Sequence, residues 1–521
     1  MSKKLAWLIC GFGISGLISP AFALDTSVGA NGIDAHRLHG EPYNLTGRKI
    51  SIGQVEIGRP GKFGLDKAVA WNPALSLAGL YHRDNPAKSD TNVDEHASMV
   101  AMVMVGGGKK LRGVAPDAKL YASAVGPLNN NGQPEECLSS QHVAMQNGGD
   151  VRAINYSFGE SLGRDAREEA SLDGQALLTL CVDWSSRVHD TLYVIAGNQG
   201  SGGIPIPTDQ YNGITTAYTT QRNGQYNKVD FANLSALPEG IGRRLIAREI
   251  NLGERRAINL VAPGSGISVF DLEGKVVPVT GTSFAAPHIT ATIALLQEFG
   301  DRQLFSRQLN WSLDSRRHEV MKAVLLNSAD KIQDTLGMSR TVKSKNNLTW
   351  LEGDAYQNEQ IPLDIQMGTG QINAFRAYEQ YSSGQWNSDN PVPSRGWNYS
   401  QIETKSYQDY VLQEPLQKDS FAAITLAWDR FVELEDNNEN GLYDLGENFR
   451  DRGLNNLDIY LLPLDSEDSS SSVCASKSRV DSIEHIFCKV PSNGRYKIRV
   501  QYTQQINEAT QAYALAWWSL D

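Results

Sequence analysis

Ser283 is the residue whose setting in the sequence most suggests chemistry. It lies in Gly281-Thr282-Ser283-Phe284-Ala285-Ala286-Pro287-His288, followed by Ile289-Thr290-Ala291-Thr292-Ile293-Ala294-Leu295-Leu296. That second run is nearly all apolar and too short to cross a membrane, which predicts a buried helix. A serine at a helix N-terminus meets unpaired backbone N–H groups and the positive end of the dipole, which favour negative charge. The plain reading of an isolated serine there is an N-cap. A nucleophile requires a base for the hydroxyl proton, an acid to orient that base, and donors for an oxyanion. His96, in Asp94-Glu95-His96-Ala97-Ser98-Met99-Val100, stands at the start of a second buried helix and is a candidate base. Glu56 ends Ile50-Ser51-Ile52-Gly53-Gln54-Val55-Glu56, which reads as a strand broken by Ile57-Gly58-Arg59-Pro60-Gly61.

A second constellation lies far downstream. Residues 436–447, Asp436-Asn437-Asn438-Glu439-Asn440-Gly441-Leu442-Tyr443-Asp444-Leu445-Gly446-Glu447, fit the calcium-loop pattern at every position. Calcium takes six to eight oxygens on a curved backbone. Asp436, Asn438 and Asn440 would supply side-chain oxygens, Leu442 its carbonyl and Glu447 two more, with Gly441 making the turn. Asp444 would bind directly or through water. The bland alternative is an acidic hairpin loop, for which Asn-Gly alone suffices. The flanks read as strands, so the expectation is a calcium loop outside a helix–loop–helix unit.

Stepping outward, the segments between these residues alternate strand and helix. Lys119 to Val125, Ile154 to Gly159 and Leu192 to Ala196 read as strands, and Val320 to Ala329 as an amphipathic helix. Such alternation implies a parallel sheet covered on both faces. The Ser283 stretch resembles the active-site serine motif of subtilisin-like serine peptidases, and the chain from about residue 40 to 380 follows that family's order. His96 matches the family's histidine segment, with Ala97 for Gly, Ser98 for Thr and Met99 for a second His. Glu56 stands where the family has the Asp of its triad. Ile154-Asn155-Tyr156-Ser157-Phe158-Gly159 resembles the segment whose main chain pairs with bound peptide, which gives Ser157, Phe158 and Gly159 a substrate-binding role. Ala196-Gly197-Asn198 resembles the turn whose Asn donates to the oxyanion, although Gly-Asn alone is simply a good turn. Gly368-Thr369-Gly370-Gln371-Ile372-Asn373-Ala374 resembles the closing segment of the catalytic domain.

The resemblance implies an endopeptidase acting on polypeptides. Ser283 attacks, His96 shuttles the proton, Glu56 holds His96, and Asn198 with the Ser283 N–H receives the oxyanion. Glu carries one more methylene than Asp, which makes Glu56 the point of departure from the family. Asp94 lies only two residues before His96 and reads better as a helix cap than as the acid. A catalytically weak homologue serving as a calcium-stabilised binding or surface protein is the alternative. A serine esterase fits poorly, because its nucleophile lies in G-x-S-x-G and precedes its acid and histidine.

The remaining features set the context. Lys3 and Lys4, the apolar stretch Leu5 to Ile18 and Ala21-Phe22-Ala23 form a secretory signal, residues 1–23, with cleavage before Leu24. No room for a sizeable prodomain is left before Glu56. The expected location is therefore periplasmic or extracellular. Cys137, Cys181, Cys474 and Cys488 remain, and their positions favour Cys137–Cys181 and Cys474–Cys488 over the other connectivities. A net charge of −11 argues against a nucleic-acid partner, and no later stretch is suited to span a membrane. The expected fold is α/β, a subtilisin-like three-layer domain with a mostly parallel sheet over residues 24–380, then a linker over 381–397. Residues 398–521 carry short alternating strands and predict an all-β sandwich, like the C-terminal modules of secreted bacterial peptidases.

Overall fold

The computed structural model describes residues 23–519 apart from 109–110, 129–130, 169, 198–205, 223, 229–254, 334–337 and 339. Its main sheet is built from β1 (Ser51–Glu56), β2 (Leu77–His82), β3 (Asn85–Pro86), β4 (Lys119–Ala124), β5 (Val151–Tyr156), β6 (Leu192–Ala196), β7 (Ile214–Arg222), β8 (Gln225–Lys228), β9 (Leu260–Pro263) and β12 (Val342–Lys343). The spatial order is β12-β8-β7-β6-β5-β1-β4-β2-β3, with β9 also pairing with β7. Pairing is parallel except at β7–β8 and at β2–β3. The remaining two strands of this half, β10 (Ile267–Phe270) and β11 (Val276–Val279), form a separate hairpin just before Ser283.

Both faces of the sheet are covered, which is why β1 and β5 are buried at every residue. Strand β6 shows the partition. Leu192 and Val194 join the apolar cluster on one face, while Tyr193 and Ile195 join the cluster on the other. Among the described residues the helices longer than one turn are α1 (Ala23–Val28), α2 (Glu95–Val105), α3 (Gln133–Ala144), α4 (Leu177–His189), α5 (Thr282–Phe305), α6 (His318–Asn327) and α7 (Ala374–Ser382). Residues of α2, α5, α6 and α7 pack in the first cluster, and residues of α3 and α4 in the second. Leu24, Val28, Ile33, Leu38 and Leu45 are fully buried in the first cluster, so the N-terminal arm is part of the core.

Beyond α7 the chain becomes all-β. Strands β13 (Arg395–Glu403), β22 (Thr510–Ser519), β15 (Phe421–Ala427) and β20 (Ile483–Lys489) form one antiparallel sheet in that order. A second contains β14 (Tyr407–Val411), β21 (Tyr496–Gln504), β18 (Asn456–Pro463) and β19 (Cys474–Ser476). They enclose a core with Trp428, Leu457, Tyr496 and Trp517. A hairpin of β16 (Phe431–Glu435) and β17 (Asn448–Gly453) projects from it. The predicted disulfides are both present, Cys137–Cys181 joining α3 to α4 and Cys474–Cys488 joining β19 to β20.

The two halves share a core. Trp397, Ala427, Ile483, Ala514 and Ala516 belong to the same apolar cluster as α5, α6 and α7. A buried polar chain crosses the junction: Thr425 donates to Asn327 at 3.0 Å, Asn327 to Gln380 at 2.8 Å, and Gln380 to the Trp517 carbonyl at 3.0 Å. Arg430 Nε donates to Asp183 Oδ2 at 2.9 Å, and both side chains are buried. Within 381–397, the Trp397 indole donates to the Tyr381 carbonyl at 2.9 Å, and Trp386 N–H to the Trp397 carbonyl at the same distance. Among the described residues no helix is long and apolar enough to cross a membrane.

Candidate active site

Strand order locates the site. The chain runs outward from β1 in both directions, to β4 and β2 on one side and to β5, β6 and β7 on the other. In open parallel sheets a ligand crevice forms at the carboxyl ends of the strands where the order reverses. Glu56 is the last residue of β1, and Ser157 follows the last residue of the adjacent β5.

Glu56 Oε2 lies 2.8 Å from His96 Nδ1. The carboxylate is 3 % exposed and the imidazole 42 %, so the acid is shielded while the base stays open to the crevice. The extra methylene of Glu is thus accommodated without loss of contact. Gln54, two residues back on the same face of β1, donates to Glu56 Oε1 at 2.8 Å and to the Ala97 carbonyl at 2.9 Å. It ties the carboxylate to the first turn of the histidine's helix. Nothing in the motif comparison pointed to Gln54; the period-two spacing from Glu56 is the signal that could have. Asp94 is the N-cap of α2, its Oδ1 accepting from Ala97 N–H at 2.7 Å, as expected of a cap. Burial pushes the His96 imidazole down. The Glu56 charge and hydrogen bond, with Asp94 beyond, outweigh burial and hold it above the ordinary histidine value.

Ser283 is the second residue of α5, and Gly281 before it has φ +156°, in the range that favours glycine. Its hydroxyl donates to the Ser157 carbonyl at 3.2 Å, and Ser157 Oγ returns a bond to the Ser283 carbonyl at 2.9 Å. His96 meets this helix through Phe284, with ring centroids 5.6 Å apart. No hydrogen bond joins Ser283 Oγ to His96 among the described residues. Ser157, Phe158 and Gly159 are buried at the carboxyl end of β5, with Phe158 stacked on Tyr156 at 4.9 Å. Ile154, Asn155 and Tyr156 are paired inside the sheet. Asn198 lies outside the described residues; β6, next to β5, leads toward it. His288, also in the serine motif, is fully buried and held near about 4 by burial. Its Nδ1 is 2.7 Å from the Phe284 carbonyl and its Nε2 3.0 Å from Ser27 Oγ, so it joins α5 to the N-terminal arm.

The loop 436–447 caps the β16–β17 hairpin. Asp436 accepts from the main-chain N–H groups of Asn438 and Asn440 at 3.3 Å and of Gly441 at 2.7 Å. Asn438 and Asn440 both donate to Asp444 Oδ2 at 2.7 Å. Glu447 accepts from Asn437 N–H at 2.8 Å and Asp444 N–H at 2.9 Å. Gly441 has φ +76°, and a Cβ there would meet nothing, so its conformation rather than space requires glycine. Leu442 N–H donates to Asn440 Oδ1 at 2.6 Å. Tyr443 is buried and exchanges hydrogen bonds with Gln141 of α3, at 2.6 and 3.1 Å, which docks the loop on the first half of the molecule.

Comparison with known proteins bears on this arrangement. The subtilase family model matches residues 72–353, just over half of the chain. His96 and Ser283 fall inside the match and Glu56 before it. The thermostable alkaline protease of Halalkalibacterium halodurans is 27 % identical over 237 residues, 45 % of this chain and 55 % of that protein. Subtilisin Savinase of Lederbergia lenta is 22 % identical over 274 residues, 52 % of this chain and 83 % of that protein. The chain spans little more than half the length of several relatives it matches. Among solved structures, the prenylagaramide maturation protease PagA is 17 % identical with a TM-score of 0.41, over 67 % of this chain and 99 % of that one. With the parallel sheet, the Glu56–His96 pair at its strand reversal and the family match over just over half of its length, this chain belongs to the subtilase family of serine peptidases.

Proposed function

We propose that the protein is an exported serine endopeptidase working through Ser283, His96 and Glu56. The observation that carries this reading is the 2.8 Å contact between a shielded Glu56 carboxylate and an open His96 imidazole, beside the helix whose second residue is Ser283. Glu56 accepts a hydrogen bond from Nδ1–H, which leaves Nε2 free as the base. The Ser283 hydroxyl turns from the Ser157 carbonyl toward Nε2 when a peptide enters, and Oγ attacks the scissile carbonyl. His96 then hands its proton to the leaving amine. The Asn198 amide and the Ser283 N–H receive the oxyanion; losing one such donor costs about 10²–10³ in rate. Ser157 to Gly159 pair with substrate main chain. Hydrolysis of casein, lost in Ser283→Ala, is the expected result. Binding of casein without cleavage would favour the catalytically weak homologue.

We take the loop 436–447 as a structural calcium site. Its donor set is all oxygen and converges on Asp436, Asp444 and Glu447, which suits a hard cation. When bound, calcium would be held by Asp436, Asn438, Asn440, the Leu442 carbonyl, Asp444 and Glu447, and would brace the hairpin that docks on α3. Export would remove residues 1–23, of which 1–22 lie outside the described residues; N-terminal sequencing of the mature protein should begin at Leu24. The division into a catalytic unit, 24–380, a connection, 381–397, and an accessory unit, 398–521, belongs to the same reading.

A further inference from the structure

A second cluster of charged groups lies away from the crevice, where α4, α6 and the β-sandwich meet. Asp190 follows α4 with φ +49°. His318 and Glu319 open α6, and Asp429 lies two residues beyond β15. His318 Nδ1 is 2.9 Å from Asp190 Oδ1 and 3.2 Å from Glu319 Oε2. Its Nε2 is 3.0 Å from Asp429 Oδ2. His318 is 2 % exposed and Glu319 6 %. Glu319 Oε2 takes no hydrogen bond, so a buried carboxylate oxygen points at the imidazole without a donor of its own.

We propose that His318 Nδ1, Asp190 Oδ1 and Glu319 Oε2 form a binding site for a divalent transition metal ion, zinc being the best fit. The three atoms lie within 4.8 Å of one another. Tetrahedral zinc with bonds of about 2.0 Å sets ligand atoms about 3.3 Å apart. The observed 2.9 and 3.2 Å edges reach that with a few tenths of an ångström of opening. One imidazole and two carboxylates suit zinc among the common ions. Asp429 supplies the group that metal-bound histidines characteristically have, a carboxylate on the other ring nitrogen. Charge favours the ion as well. Three carboxylates surround one imidazole, and Arg317 lies 3.5 Å from Asp190 Oδ2. A dication in place of the Nδ1 proton offsets two of these three carboxylates, and the C-terminal end of α4 favours positive charge. An adjoining cavity of about 190 Å³, lined by Arg187, Tyr399 and Gln511 among others, gives room for water as the fourth ligand. Binding releases the Nδ1 proton and ties the end of α4, the start of α6 and, through Asp429, the β-sandwich.

The test uses the full chain carrying Ser283→Ala, stripped with chelator and kept in saturating calcium so that the loop 436–447 does not compete. Titration with Co²⁺ should give visible absorption saturating at one equivalent, and dialysis against Zn²⁺ should leave one zinc per chain by mass spectrometry. Glu319→Gln and Asp190→Asn should each weaken binding at least tenfold, and Asp429→Asn 10- to 100-fold, the range seen for outer-shell partners. His96→Ala should leave the stoichiometry unchanged. Absence of bound metal in the parent protein overturns the proposal, whatever the variants do. So does binding unaffected by Glu319→Gln, or binding lost in His96→Ala, which would put the ion at the crevice.

Discussion

At the scale of single residues, the proposed function rests on Glu56 taking the place of the aspartate that the family resemblance leads one to expect. Its carboxylate reaches His96 at 2.8 Å and is fixed from behind by Gln54. Glu56→Gln should therefore lower kcat/KM about 10⁴-fold, the scale known for neutralising a triad acid. Asp94→Asn should change activity little and cost at most about 1 kcal/mol as a weakened cap. Comparable losses in both variants would reassign the acid. The raised His96 pKa has a signed consequence, since the base must be neutral. Activity should rise with pH through an inflection above about 6.5, and Glu56→Gln should move that inflection down by removing the charge that favours imidazolium. Steady-state pH profiles decide it. Ser283, His96 and Glu56 stand out in the sequence as candidates because each sits in a short motif at an element boundary. Gln54 is marked only by its period-two spacing from Glu56, and its task appears only when β1 lies against α2.

Elements carry two further expectations. His288 holds α5 against the N-terminal arm and stays neutral in its buried site until pH falls to about 4, whereas an exposed histidine protonates near about 6.5. Its folded pKa is depressed, so its contribution is complete above about 6.5 and is lost as pH falls toward 4. The difference amounts to about 3 kcal/mol. Denaturant melts at pH 7 and 4.5 should show this decline, and His288→Gln should flatten it while lowering stability at pH 7. The loop 436–447, proposed to hold calcium, carries the other expectation. Saturating an ion to 100 times its Kd stabilises by about 2.7 kcal/mol. Adding calcium to the chelator-stripped protein should therefore raise the Tm of the parent protein and leave that of Glu447→Gln unmoved. The loop was legible because its ligand spacing is local. Its docking through Tyr443 on Gln141 was not, because the partners are 302 residues apart.

For the whole molecule, the sequence conveyed two kinds of fold but not how they join. Alternation of strand and helix revealed the parallel sheet, and short alternating strands revealed the sandwich. Residues 381–397 read as a connection because they are rich in turn formers, yet Trp386 and Trp397 hold them against α7 and the sandwich. The buried Arg430–Asp183 pair joins residues 247 apart, so no window of sequence contains it. Asp183→Asn leaves the buried Arg430 with Asp451, at 3.3 Å, as its carboxylate partner and should cost about 3 kcal/mol, the low end for breaking a buried pair. Because the halves share a core, calorimetry should show them melting together in the parent protein; two separated transitions would show that the junction carries little energy.

The central claim is that Ser283 is a nucleophile activated by His96 and Glu56. A fluorophosphonate probe tests it most directly, because it labels an activated serine without needing to know the preferred peptide. Peptide mapping of the labelled parent protein should find one adduct, on Ser283. Ser283→Ala should take none, and Glu56→Gln should label far more slowly with its fold intact. A folded parent protein left unlabelled, or labelled at another serine, would contradict the account.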